Sequence, residues 1–146
     1  MATPFQTVFQ RFLNKITDSD LAALPQTNLE SIMTDYLQSS IVHFRNCKQK
    51  LENYNLTSMQ FNIDLTLTEI EILALWMKFQ WLDQQINRIE LLRQSLSSKD
   101  YAMYSQANHL NSLISLREIT STDVYKLMKY YSYDNNDLTG LVGNGN

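Results

Sequence analysis

The placement of glycine constrains this chain more than any other feature. Its three glycines, Gly140, Gly143 and Gly145, fall within the last seven residues, and positions 1 to 139 hold none. Loops that cradle phosphate need glycine so that backbone can approach the ligand, which sets Walker-type and dinucleotide-binding loops aside. Tight primed hairpins and nucleophile elbows are disfavoured for the same reason. Proline is nearly as scarce, at Pro4 and Pro25 only. A chain of 146 residues so poor in breakers reads as helices joined by Asn, Asp, Ser and Thr turns.

Hydrophobic spacing supplies the helices. Phe5, Val8, Phe9, Phe12, Leu13 and Ile16 form one apolar stripe, with Thr3 expected as N-cap and Pro4 at the first helical position. Residues 17 to 20 read as one further short turn, closed by Pro25. A second helix opens on the capping-box spacing Thr27…Glu30 and is expected to run to Leu51, with Phe44 and Cys47 on its apolar face and Arg45, Lys48 and Lys50 in its last turns. Between 58 and 66 the period becomes two: Met59, Phe61, Ile63 and Leu65 alternate with polar residues, an extended connection or edge strand.

Thr66…Glu69 and Thr68…Glu71 announce a third helix. From Ile70 to Leu82 it is apolar nearly all round, so it should be surrounded by protein. Ser97-Ser98 leads into a fourth helix, with Tyr104, Ala107, Leu110, Ile114 and the Arg117 stem on its buried side. A break is expected at Thr120-Ser121-Thr122-Asp123, then a short fifth helix through Val124 and Met128 to Tyr131. The fold expected is all-α: a mainly antiparallel bundle of four to five helices over residues 1–133, with one short extended segment. Residues 134–146 form a flexible, extended tail.

Composition excludes several functions. With 44% hydrophobic and 18% charged residues the chain is globular, and no run of apolar residues is long enough to span a membrane. Met1 to Lys15 alternate polar and apolar residues, unlike a signal peptide, and the single Cys47 favours a reducing compartment. A net charge of −3 offers no bulk attraction to nucleic acid.

Few residues combine into chemistry. His43 and Cys47 stand four apart, but two ligands do not make a zinc site. Ser105 and His109 share that spacing without an elbow or oxyanion hole. Asp64, Glu69 and Glu71 suit a turn and the first turn of a helix better than an acid–base pair. No catalytic, cofactor-binding or metal residue is assigned, and no enzyme is expected. Tyr125, Tyr130, Tyr131 and Tyr133 differ, because tyrosine buries a ring while keeping a hydrogen-bonding tip and so anchors interfaces. With Leu138, Leu141 and Val142 of the tail they are the expected partner-binding residues. Trp76, Phe79 and Trp81 of the all-round apolar helix are the expected subunit interface.

Several strings resemble the head–tail connector, or adaptor, proteins of tailed bacteriophages. They are Pro4-Phe5, Phe12-Leu13, Lys15-Ile16-Thr17-Asp18, Asp64-Leu65-Thr66 before Glu69, Ile72-Leu73-Ala74, Met77 with Trp81-Leu82, Lys99-Asp100-Tyr101 and Tyr104 to Leu110. They cover most of the chain except 134–146, and none is a catalytic signature. The resemblance implies a structural virion protein of the neck, assembled in the bacterial cytoplasm. It implies a helical subunit repeated, usually twelve times, in a ring beneath the portal, contacting portal and tail or neck proteins. Genomic DNA would pass through the lumen without specific binding, which an acidic protein suits. The competing reading is a small helical regulator or nucleic-acid binder, whose best recognition helix, residues 41 to 50, carries only three cations.

Overall fold

The computed structural model describes the backbone of residues 2–16, 28–95 and 100–135, and the side chains of 2–16, 28–91 and 108–133. Among these, four helices account for most of the structure: α1 (Phe5–Leu13), α2 (Leu29–His43), α3 (Leu67–Ser95) and α4 (Asp100–Asn135). A two-stranded antiparallel pair, β1 (Tyr54–Asn55) and β2 (Gln60–Phe61), stands between α2 and α3. This is the expected all-α architecture. The turn at 17–20, Pro25, Thr27, the side chains of Tyr104, Ser105 and Ala107, and the tail from Asn136 lie outside the described residues.

Helix α3 is the axis of the fold, as its composition requires. It packs on α1, α2 and α4, and Ile72, Leu73, Ala74, Trp76, Met77 and Leu82 are buried along it. Contacts give the directions. Ascending α3 through Glu69, Trp76 and Asp83, the partners descend α4 through Tyr131, Met128 and Arg117, so the two run antiparallel. Tyr36 bonds Gln84, and His43 stacks beside Trp76, so α2 is antiparallel to α3 as well. Arg117 also closes an ion pair with Asp83 at 2.6 Å.

The extended segment behaves as its period of two suggests. Phe61 and Leu65 are buried, Met59 and Ile63 are half-buried, and the intervening Asn62 and Asp64 are exposed. With no glycine to turn the hairpin, Asn55 Oδ1 accepts the N–H groups of Thr57 (2.8 Å) and Ser58 (3.1 Å), and Met59 takes φ 54°. A left-handed non-glycine residue costs about 1–2 kcal/mol. Residues 3–5 run beside β2, where Phe61 N–H donates to Thr3 O at 2.8 Å and Phe5 N–H to Met59 O at 2.9 Å.

Three boundaries differ from the sequence reading. Pro4, not Thr3, caps α1, because the Thr3 hydroxyl is engaged by the Leu65 N–H at 2.8 Å. Helix α2 stops at His43 rather than Leu51. Beyond it the Lys48 backbone N–H leaves the helical ladder for the Tyr131 hydroxyl (3.0 Å), and the side-chain amides Asn46 Nδ2 and Gln49 Nε2 donate to Met128 O (3.0 Å) and Asp64 O (2.8 Å). The break at Thr120 does not occur. Its buried hydroxyl donates to Leu116 O at 2.8 Å, so the polar run is satisfied inside one continuous α4.

Candidate interaction surfaces

The densest polar chemistry lies at the start of α3. Thr66 N–H donates to Glu69 Oε1 at 2.8 Å and Glu69 N–H to Thr66 Oγ1 at 3.2 Å, the reciprocal capping box that the spacing predicts. Glu69 does more than cap. Gln49 Nε2 donates to Oε1 at 2.7 Å, the Tyr131 hydroxyl to Oε2 at 2.8 Å, and Cys47 Sγ lies 3.5 Å from Oε2. The Tyr131 oxygen in turn accepts the Lys48 N–H at 3.0 Å. One buried carboxylate thus ties the 44–53 loop, the first turn of α3 and the end of α4 together.

Electrostatics follow from that geometry. Burial alone raises the Glu69 pKa, but the hydrogen bonds from Thr66, Tyr131, Gln49 and Cys47 outweigh it and hold the carboxyl below its usual range. Burial, aided by the adjoining Glu69 carboxylate, pushes the Cys47 thiol up to about 11 and moves the Tyr131 phenol upward as well. Each Glu69 oxygen already has two donors, and Cys47 is protonated at neutral pH. Such a carboxylate is no ready base, and such a thiol is a poor nucleophile.

The other sequence candidates separate in space. His43 and Cys47 share no helix face, because α2 ends between them. His43 Nδ1 lies 2.8 Å from the Ser39 carbonyl oxygen, which places the proton on Nδ1, and its ring sits 4.6 Å from that of Trp76. Glu71 points away from Glu69 and pairs with Lys15 at 2.6 Å. His109 is exposed. Among the described residues no three His, Cys, Asp or Glu side chains group closely enough to hold a metal ion, and no helix is long and apolar enough to cross a membrane.

The tryptophans require a correction. Trp76 is 1% and Trp81 4% exposed, covered by this chain's own helices, so neither reaches a subunit interface from this fold. Trp76 Nε1 is spent on Met128 Sδ at 3.3 Å. Phe79 is half-buried and packs edge-on to Trp76. Tyr131 is likewise a core residue at 3% exposure, with its ring against Phe44 and its hydroxyl on Glu69, and is no partner anchor.

Tyr125, Tyr130 and Tyr133 remain on the surface. Tyr125 meets Trp76 edge-on at 5.2 Å and, with Val42, His43, Arg45 and Met128, lines a cleft of about 470 Å³ between the end of α2 and α4. Val42 is exposed at its rim, and so is Arg45, the cation among these apolar walls. Sequence spacing could not bring Val42 to Tyr125, since only the antiparallel docking of α4 does so. Tyr130 and Tyr133 sit on another face of α4, beyond reach of that cleft. No protein-family model, curated protein or solved structure matches this chain.

Proposed function

We propose that this chain is a non-catalytic structural subunit, a head–tail connector that forms a ring beneath a phage portal and joins capsid to tail. The observation that carries the reading is where the surface chemistry lies. The buried polar groups around Glu69 are taken up in holding helices together, while an aromatic and cationic cleft at Tyr125 and a tyrosine-bearing outer face of α4 are presented to solvent. Two different patches on one subunit are what a cyclic ring needs, because each copy offers one patch to one neighbour and the other to the next. The resemblance of the Pro4-Phe5, Asp64-Leu65-Thr66 and Tyr104–Leu110 strings to connectors supplies the portal as partner. The net charge of −3 suits a lumen through which DNA must slide.

The test is a phage lacking only this chain. DNA-filled heads and finished tails should accumulate unjoined in electron micrographs, and the wild-type chain supplied in trans should restore joined particles. Joined, infectious particles in its absence would overturn the reading. Within the same assay, Tyr125→Ala and Tyr130→Ala address the two patches separately, each lowering the yield of joined particles, and removal of residues 134–146 addresses the expected tail contact.

A further inference from the structure

The outer face of α4 has a pattern that neither the core nor the Tyr125 cleft uses. Leu116, Ile119, Asp123, Lys126, Tyr130 and Tyr133 follow a three-four-three-four spacing, and every one of them is exposed. On a helix that spacing is a single seam about 26 Å long, here preceded by exposed Ser112. Four of these six are large apolar or aromatic side chains directed at water. The arrangement along the seam is self-complementary: aliphatic residues at one end, tyrosines at the other, and one acid and one base between them.

We infer that this face pairs two-fold with the same face of a second copy, the two α4 helices lying antiparallel. In that register Asp123 meets the second copy's Lys126 twice over, Ile119 meets Tyr130, and Leu116 meets Tyr133. A parallel alignment instead sets Asp123 against Asp123 and Lys126 against Lys126, which like charge opposes. Shape agrees with charge. At the aliphatic end the small Ser112 and Ser115 beside Leu116 and Ile119 leave a shallow groove of about 670 Å³, where the second copy's tyrosine rings arrive. The two-fold operator makes both ends fill at once.

A single three-heptad seam buries less than the roughly 1,200 Å² of standard interfaces, so the pair is weak and concentration-dependent. The pairing concerns the free chain and does not rest on the connector reading: it covers the outer face of α4 that a ring would offer to a neighbour, so the pair must open before a ring closes. Sedimentation equilibrium of the full chain should show a reversible monomer–dimer transition. Lys126→Asp alone, and Asp123→Lys alone, should each weaken the dimer roughly tenfold or more, because each turns two attractions into two repulsions. Asp123 also lies in the field of Lys78 of its own chain, so the change at 126 is the cleaner of the two. Mixing the two single variants should restore association as a heterodimer, and the double variant D123K/K126D should restore the homodimer. Helical circular dichroism confirms that each variant folds. A chain that stays monomeric at several hundred micromolar, or a dimer indifferent to these reversals, overturns the inference, as does a mixture that fails to associate.

Discussion

Tyr130 and Tyr131 are neighbours in sequence and opposites in structure. Tyr131 is 3% exposed and places its hydroxyl on a buried carboxylate 62 positions back, while Tyr130 is 53% exposed and stands on the outer seam. One step along α4 is about 100° of rotation, enough to carry a side chain from the core side to solvent. The two regions use the same residue type for different ends. Around Glu69 the value of tyrosine is its hydroxyl, without which a buried anion loses a donor. On the seam it is the ring, available to whatever covers it. A tyrosine-rich segment is therefore two populations, and only the helix's rotation sorts them.

The sharpest way to break this contrast is at Glu69. Glu69→Ala should destabilise the chain by about 3 kcal/mol or more, because Gln49, the Thr66 N–H and Tyr131 lose their acceptor at once. For a domain of this size that is a fall of roughly 10 °C in Tm by thermal denaturation. A shift under 2 °C would show that these bonds contribute little. Tyr131→Phe removes one donor and keeps the ring, so a loss of about 1–2 kcal/mol is expected by urea titration.

Titration should show the same knot from both sides. The folded Glu69 pKa is lowered from 4.5, so its contribution is complete above that pH and disappears as the pH falls through the lower folded value. The Cys47 pKa is raised from 9.0 to about 11, so its contribution is complete below pH 9 and is lost as the pH climbs toward 11. Cys47→Ala should remove the part of the alkaline arm that begins near pH 9 and leave the part above pH 10 that the raised Tyr131 and Tyr36 phenols carry, while an arm that still begins near pH 9 assigns it to another group. The smallest effects belong to the seam. Tyr130→Ala and Tyr133→Ala should change monomer stability, measured in dilute solution, by no more than about 0.5 kcal/mol. A cost equal to that of Tyr131→Ala would mean the outer face is part of a core.

Local signals in the sequence were legible where one element satisfied them. The Thr66…Glu69 capping box, the largely buried stretch of α3 from Ile70 to Leu82 and the alternation from Met59 to Leu65 all follow from spacing alone. Boundaries failed where a distant partner outbid the helix. Nothing near residue 44 signals that Asn46 will bond Met128 or that Gln49 will reach Glu69, so α2 reads eight residues too long. At Thr120 the polar run resembles a cap, yet its hydroxyl turns back onto Leu116. The site was legible by halves. Tyrosines stood out, but Val42 and Arg45 carry no signal until α4 docks, and the seam hides because Asp123 and Lys126 interrupt its apolar run.

The Lys48 N–H, donated to the Tyr131 hydroxyl, has a consequence for how the molecule opens. Lys48 belongs to an irregular, solvent-facing loop, and amides there ordinarily exchange with solvent by small local fluctuations. This one is released only when the end of α4 swings away, which also strips a donor from the Glu69 carboxylate. Deuterium uptake at Lys48 should therefore track the opening of the last turns of α4 and be slower than that of other exposed amides in the 44–53 loop. A surface loop and the last turns of α4, 83 residues apart, would then open as one unit.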